Sequence, residues 1–202
     1  MKILLTGFEP FLKMPTNASW EAIKLVSDRP GKNLQVHKLL LPVEYDKAAE
    51  ILLDAVRKLR PEAVLSVGVA AKRRSLTLEY TAVNVKDSTN PDNAGKVYIY
   101  DKIIDEGDTA LYTNLPFAEA IDAMLAQGVP ASPSFDAGTY VCNNVFYRLM
   151  YDIKYMGRKT YGGFLHVPPE KEVGSKDAAR AIEAILLLLA DKGPIRGEVR
   201  TV

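Results

Sequence analysis

The chain has 202 residues, of which 48% are hydrophobic and 25% are charged, a composition that suits one compact domain with a sizeable core. Its 26 basic and 25 acidic residues leave a net charge of +1, which argues against a protein that works on nucleic acid or on an anionic membrane surface. We therefore expect a single domain over residues 1–202, with neither nucleic acid nor membrane as a partner.

The beginning of the chain and its single cysteine bear on the compartment. The opening apolar run breaks at Gly7, too early for the apolar region of a signal peptide, and the run near residues 185–190 is far below the roughly 20 residues that cross a bilayer. With Cys142 alone no internal disulfide can form, which fits a reducing environment. We expect a cytoplasmic protein with a free thiol.

The first half of the chain alternates between strand and helix patterns. Short apolar stretches that end at glycine are typical of buried central strands, and apolar residues at helical spacing predict amphipathic helices. The alternation over residues 78–85 is typical of a half-exposed strand or hairpin arm. We predict strands over residues 2–6, 34–41, 62–68 and 78–85, and helices over residues 18–27 and 45–59.

The second half begins with turn-forming residues from Lys86 to Asn93, which predict a mobile surface excursion. A helix is predicted between Pro116 and Gly128, because proline favours a helix start and glycine a helix end. Strands alternating with helices on this scale predict an α/β fold, a three-layer α/β/α sandwich with a mixed, mostly parallel central sheet. Further helices are predicted over residues 142–155 and 175–192, and strands over residues 161–167 and within 97–104.

Cys142 is the first candidate for chemistry. It precedes a predicted helix, so it is expected in the first helical turn, where unpaired amides and the macrodipole favour a thiolate. The other interpretation is that this cysteine is buried and packs as a small apolar residue. The local sequence leaves both open.

His166 and Glu79 are the candidate partners of that thiol. His166 closes a predicted strand, at the carboxyl edge where α/β folds place their sites, and a histidine there can serve as a base. His37 lies inside an apolar strand and is interpreted as structural. Glu79 is the candidate carboxylate that would orient the imidazole, although many other acids are available.

Other charged clusters do not predict a site. The basic run 72–74 is interpreted as a solvated turn or a local anion site rather than a nucleic-acid patch. The acids at 101–108 and at 170–172 have no paired histidines, so we predict no metal, and the chain has no phosphate-binding or dinucleotide-binding glycine pattern, so we predict no cofactor.

Three segments together resemble one family. The opening Leu5-Thr6-Gly7-Phe8-Glu9-Pro10-Phe11, the segment Ala137-Gly138-Thr139-Tyr140-Val141-Cys142-Asn143, and Gly163-Phe164-Leu165-His166-Val167-Pro168 resemble the motifs of pyroglutamyl peptidase I, a family of cysteine peptidases. Between them, Gly68-Val69-Ala70 with Arg73, Leu78-Glu79, Ala82-Val83-Asn84 and Pro91-Asp92-Asn93 keep the order of the family's glutamate segment. The resemblance extends from residue 1 to about residue 168.

The resemblance implies a role for each matching residue. Cys142 would be the nucleophile, His166 the base and then the acid, and Glu79 the orienting carboxylate, in a hydrolysis that releases N-terminal pyroglutamate through a thioester. It also implies a homo-oligomer, commonly a tetramer, acting on peptides that carry N-terminal pyroglutamate. The residues expected to bind the lactam ring are Phe8, Phe11, Asn17, Tyr140 and Val141.

Several positions depart from the family pattern. Leu12 and Lys13 stand where two glycines are usual, Lys72 replaces a glycine, Tyr80 replaces an arginine, and Asn90 replaces an isoleucine. We expect these positions to flank the pocket and to alter its wall. They favour the alternative of a non-catalytic or altered-specificity homologue that binds a small capped peptide or a related ligand. A nucleoside-binding or phosphorylase-like protein is allowed by fold class alone.

Overall fold

The computed structural model describes residues 1–11 and 14–195. The strands are Lys2–Phe8 (β1), Gln35–Leu41 (β2), Ala63–Val69 (β3), Leu76–Glu79 (β4), Thr81–Val83 (β5), Lys86–Ser88 (β6), Tyr98–Asp101 (β7), Ala110–Tyr112 (β8), Ala131–Ser134 (β9) and Tyr161–Val167 (β10). The helices are Ala18–Leu25 (α1), Tyr45–Leu59 (α2), Phe117–Leu125 (α3), Val141–Tyr155 (α4) and Ser175–Lys192 (α5).

Six strands form the central sheet, in the order β2-β1-β3-β10-β4-β9. The first four are parallel to one another, whereas β4 runs antiparallel to β10 and parallel to β9. Apolar side chains fill both faces of the central strands, which is why these strands are almost continuously hydrophobic. The predicted mixed, mostly parallel sheet is confirmed.

Helices cover the sheet on both faces. One core joins the sheet to α1, α3 and α5, with residues such as Ile23, Met124 and Ile185 fully buried. The other joins it to α2 and α4, with Leu52 and Phe146 fully buried. The three-layer α/β/α sandwich is therefore confirmed. None of the helices in the described ranges is both long enough and apolar enough to cross a membrane.

The prediction of one half-exposed strand over residues 78–85 is wrong. The strand is interrupted at Tyr80. The Tyr80 amide donates to the Ser134 carbonyl, and the Tyr80 carbonyl accepts from the Thr113 amide. Before the break, β4 is fully buried inside the main sheet, and after it β5 pairs with β8 in a separate sheet of two strands. Neighbours distant in sequence decided the burial here, so the local alternation was misleading.

The segment expected to be a mobile surface excursion is anchored. Strand β6 pairs with β7, and Lys86 and Asp92 are buried. The Asp92 carboxylate accepts hydrogen bonds from the amides of Tyr45, Ala94 and Lys96, at 2.8 to 3.1 Å. The segment does contain the predicted turns. The Asp92 carboxylate, however, hydrogen-bonds to the start of α2, and the local sequence does not show that contact.

Candidate active site

Two neighbouring strands and one helix bring the candidate residues together. β3 and β10 are paired in parallel, with Gly68 beside His166 near their carboxyl ends. Cys142 is the second residue of α4, so the expected position in a first helical turn is confirmed. The side chain of the N-cap residue Tyr140 does not cap this helix start, which leaves first-turn amide donors available near the thiol.

Gly68 permits the close approach of the thiol to the sheet. A Cβ atom at this position would lie 2.8 Å from the Cys142 Sγ and 2.9 Å from the Phe164 ring. Either contact would force the sulfur or the ring to move, because a Cβ atom does not approach a non-bonded sulfur or carbon atom so closely. In the sequence this glycine is recognisable only as part of a family segment, and its steric role becomes visible only in three dimensions.

His166 and Glu79 form a buried pair. The His166 Nδ1 lies 2.7 Å from the Glu79 Oε1, and the two residues are 4% and 0% exposed. Because an ionised carboxylate only accepts hydrogen bonds, Nδ1 is the donor and Nε2 remains an acceptor. Among the described residues the second oxygen of Glu79 has no hydrogen-bond partner. The structure thus brings Glu79 to His166, as the sequence analysis expected.

Arg73 binds the same oxygen of that carboxylate as His166 does. Its guanidinium donates to the Glu79 Oε1 and to the Thr77 hydroxyl, and at 2.7 Å to the carbonyl of Asp136. It therefore links the Glu79–His166 pair to the loop that precedes α4. The interpretation of residues 72–74 as a solvated turn or anion site missed this role; the arginine in the family segment was the available signal.

Burial dominates the electrostatics of Cys142. Burial raises the pKa of the Cys142 thiol to about 12, and the Glu79 carboxylate acts in the same direction. The residue's own backbone amide and Arg73 lower the pKa, but they do not outweigh burial. The thiol is therefore neutral near pH 7, because desolvation outweighs the stabilisation that the first helical turn gives to a thiolate.

One cavity of about 600 Å³ contains both Cys142 and His166 in its lining. The five residues expected to bind the ring also line it: Phe8, Phe11, Asn17, Tyr140 and Val141. His37 lies instead on β2 at the edge of the sheet and is not part of this lining. The cavity therefore joins the two reactive groups to a largely aromatic wall.

That aromatic wall is built around Tyr140. Its ring lies 5.3 Å from the Tyr45 ring and 6.4 Å from the Phe11 ring, measured between centroids, and its hydroxyl donates to the Pro91 carbonyl. Burial, with the Asp92 carboxylate second, raises the pKa of Tyr140 to about 12, so the phenol is neutral. A flat, uncharged group suits such a surface better than a charged one.

Asn17 lines the cavity but has a structural task that the sequence analysis did not foresee. It caps α1, with its Oδ1 accepting from the Ser19 amide and hydroxyl, and its Nδ2 donates to the Glu9 carbonyl. These bonds fix the opening segment against the helix. The expected contact of Asn17 with the substrate remains a prediction.

The positions that depart from the family pattern do not all lie in the same part of the molecule. Lys72 and Asn90 line the cavity, as expected. Tyr80 does not, which corrects its expected place beside the pocket. Its ring packs instead against Tyr112, Phe117 and Phe135, in a partly exposed aromatic cluster next to β9. Leu12 and Lys13 lie outside the described residues.

The sequence matches a family model described as pyroglutamyl peptidase over residues 1–187. It is 39% identical to the pyrrolidone-carboxylate peptidase of Clavibacter michiganensis over 170 residues, which cover 84% of this chain and 79% of that protein. It is 36% identical to the pyrrolidone-carboxylate peptidase of Yersinia pestis over 191 residues, which cover 93% and 89% of the two chains.

Solved structures give the same match in three dimensions. Pyroglutamyl peptidase I from Bacillus amyloliquefaciens superposes with a TM-score of 0.88 at 31% identity, covering 92% of this chain and 93% of that one. A mutant pyrrolidone carboxyl peptidase from Pyrococcus furiosus superposes with a TM-score of 0.90 at 28% identity, covering 96% and 100%.

Proposed function

We propose that this chain is a cysteine peptidase that removes N-terminal pyroglutamate from peptides, because it belongs to the pyroglutamyl peptidase family. The observation that carries the proposal is the convergence of Cys142 and His166 on one cavity, with His166 hydrogen-bonded to the buried Glu79. A nucleophile, a base and a group that orients the base are the parts that acyl transfer through a thioester requires.

Substrate recognition follows from the chemistry of the cavity wall. Pyroglutamate is a flat lactam without a free amine, so a peptidase for it needs no acidic group to bind an N-terminal ammonium. The rings of Phe11 and Tyr140, together with Phe8 and Val141, offer apolar contact to such a ring. In this proposal Asn17 contributes at the same wall, through the amide hydrogen that its bond to Glu9 leaves free.

The first half of the reaction would form the thioester. Cys142 is neutral at rest, so His166 Nε2 takes the thiol proton as Sγ attacks the pyroglutamyl carbonyl carbon. The imidazolium is stabilised by Glu79, and it then protonates the leaving amine as the C–N bond breaks. In this proposal the first-turn amides of α4 donate to the negative charge that develops on the carbonyl oxygen.

The second half would return the enzyme to its starting state. Water replaces the departed amine, and His166 takes one of its protons while the oxygen attacks the thioester carbon. The C–S bond breaks, pyroglutamic acid leaves, and the sulfur recovers its proton from the imidazolium. Glu79 remains ionised throughout and keeps the ring in one orientation and tautomer.

Three further features come from the sequence and from the family resemblance. We propose that residues 1–202 form one catalytic domain, that the protein is cytoplasmic, and that it assembles as a homotetramer. Sedimentation equilibrium of the purified protein tests the assembly. A mass of four chains is expected, and a monomer at micromolar concentration would contradict it.

Release of a fluorophore from a pyroglutamyl amide tests the activity, with the matched alanyl amide as control. We expect turnover of the pyroglutamyl substrate only, and its loss after treatment with iodoacetamide. Equal turnover of both amides would overturn the substrate assignment. Turnover that survives complete alkylation of Cys142 would overturn the cysteine chemistry. No turnover at all would favour the alternative of a binding homologue.

A further inference from the structure

Asn143 directly follows Cys142, and the proposed reaction does not use its side chain. The residue is 0% exposed. Its Oδ1 accepts a hydrogen bond from the Val83 amide at 2.9 Å, and its Nδ2 donates to the carbonyls of Val83 and Val85 at 2.8 and 3.1 Å. Both hydrogens of the side-chain amide are therefore engaged, and the residue does not line the candidate active-site cavity. Asn143 is thus placed to hold the backbone rather than to bind a substrate.

These bonds fasten the start of α4 to the segment that begins with β5. The Asn143 side chain accepts from the amide of Val83 and donates to its carbonyl, as a backbone partner in a sheet would do. A second attachment lies just before the helix. The Asp87 amide donates to the Thr139 carbonyl at 3.0 Å, and the Thr139 hydroxyl donates to the Asp87 carbonyl at 2.6 Å. The helix start is therefore held at two points.

The rotation of this helix start decides where the Cys142 sulfur lies. Consecutive residues of an α-helix are about 100° apart around its axis, so Cys142 and Asn143 face different elements. The sulfur lies against Gly68 of β3, which is beside His166 in the sheet register. Because the bonds of Asn143 fix the helix start against β5, they also fix the direction in which the sulfur points.

The strand that Asn143 binds directly follows the strand that carries the orienting carboxylate. Strand β4 ends at Glu79, and β5 begins at Thr81 after the interruption at Tyr80. Glu79 in turn hydrogen-bonds to His166 at 2.7 Å. Asn143 therefore connects the helix that carries the thiol to the segment that orients the base.

We infer that Asn143 is a positioning residue, which holds the Cys142 sulfur where it can transfer its proton to His166 and attack. The inference rests on the proposed function for the reaction, whereas the placement of the sulfur is a property of the folded chain. A misplacement of about 1 Å in a reacting group can lower a rate about 10²-fold. The loss of Asn143 should therefore act on kcat and on the accessibility of the thiol.

The test compares Asn143→Ala with the matched control Asn114→Ala. Asn114 makes the same kind of bonds away from the site: its Oδ1 accepts from the Gly162 amide at 2.6 Å, and its Nδ2 donates to the Thr160 carbonyl at 3.0 Å. Those partners lie at the end of β10 opposite to His166. Each substitution leaves backbone groups without their partner, so both variants should unfold at a lower urea concentration than the unmodified protein.

Steady-state kinetics with a pyroglutamyl amide gives the first comparison. We expect Asn143→Ala to lower kcat roughly 10- to 100-fold and to change KM by less than about threefold, because Tyr140 keeps its own bond to Pro91. Asn114→Ala should leave kcat within about twofold. Equal kcat values for the two variants, or a loss confined to KM, would overturn the inference.

The rate of alkylation by iodoacetamide, at one fixed pH below the unfolding transition, gives a second comparison that needs no turnover. A loosened helix start opens more often, so the thiol of Asn143→Ala should react at least about threefold faster, and that of Asn114→Ala should not. Activity and thiol reactivity then change in opposite directions. Equal alkylation rates in the two variants would overturn the placement of the sulfur by Asn143.

Asn143→Gln serves if the alanine variant does not fold. It keeps the side-chain amide but lengthens the side chain by one methylene, so the helix start should be displaced, with the same directions of change in kcat and in alkylation. A glutamine variant with unchanged kcat and unchanged alkylation would overturn the inference.

The two measurements separate this inference from the proposed function. If the unmodified protein hydrolyses the amide but the Asn143 and Asn114 variants behave alike, the positioning role fails alone. If the amide is not hydrolysed but alkylation is faster in Asn143→Ala alone, the proposed function fails and the placement of the sulfur by Asn143 stands.

Discussion

The buried and the exposed sides of the candidate site differ in the contacts that fix their side chains. On the buried side, Glu79 and His166 are almost inaccessible, and Arg73 ties their hydrogen bond to the neighbouring loop. On the exposed side, Lys72 and Asn90 line the cavity without a salt bridge among the described residues. The buried side agrees with the family motifs and the exposed side departs from them. We therefore assign the proposed chemistry to the first side and expect substrate preference to depend on the second.

The substitution Cys142→Ser should have the largest effect and tests whether the chemistry depends on this site. A serine hydroxyl is a much weaker nucleophile, so we expect kcat/KM for a pyroglutamyl amide to fall by at least about 10⁴-fold. The free energy of unfolding, measured in urea, should change by less than about 1 kcal/mol because the two side chains are nearly isosteric. Substantial turnover by the folded variant would exclude the proposed nucleophile.

His166→Ala removes the base and should cost about 10³-fold in kcat/KM. The loss should fall mainly on kcat, because the aromatic wall that would bind the ring is untouched. His37→Ala is the matched control, since His37 lies on the edge strand β2 and outside the cavity. Comparable losses at the two histidines would indicate a general effect on folding rather than loss of a base.

Glu79→Gln keeps the shape but removes the charge, so it should leave more activity than His166→Ala. We expect a loss of about a hundredfold in kcat, since the imidazole is less well oriented and its charged form is less stabilised. The free energy of unfolding should also fall, because Arg73 loses its carboxylate partner. Mild and equal effects at Cys142, His166 and Glu79 would mean that these residues do not act together.

The pH dependence of alkylation probes the neutral thiol directly. Burial raises the pKa of Cys142 to about 12, and only the thiolate reacts, so the rate with iodoacetamide should rise about tenfold per pH unit between pH 6 and pH 9. The direction follows because the raised pKa keeps the thiol protonated throughout that range. A fast rate that is constant over this range would indicate a preformed thiolate and contradict a neutral resting thiol.

The smallest expected effect lies on the exposed wall. Asn90→Ile makes that wall more apolar, so KM for the pyroglutamyl amide should fall by a few-fold while kcat stays nearly constant. Steady-state kinetics of the purified variant measures both KM and kcat. A change confined to kcat would place Asn90 with the chemistry rather than with binding.

Much of the fold was predictable because its signals are local. The bounds of α2, α5 and β10 match the predicted ranges, since each has a clear apolar pattern and a clear end signal. Cys142 and His166 line one cavity, because a helix start and the carboxyl end of a parallel strand lie at the same edge of the sheet. Glu79 reaches His166 from an antiparallel strand, which the local sequence does not predict.

What could not be predicted depends on contacts between distant residues. The break at Tyr80 is made by Ser134 and Thr113, far along the chain. Gly68 matters only because the sulfur of Cys142 approaches it, and the thiol pKa depends on burial that a local pattern does not report. Helix position alone favours a lower thiol pKa, whereas burial raises it.

The most direct test of the account is the intact mass of the protein, quenched in acid during turnover of a pyroglutamyl amide. The account predicts a transient increase by one pyroglutamyl group, located on Cys142 by peptide mapping and absent from Cys142→Ala. Turnover without any covalent intermediate, or with the group on another residue, would contradict thioester chemistry at Cys142.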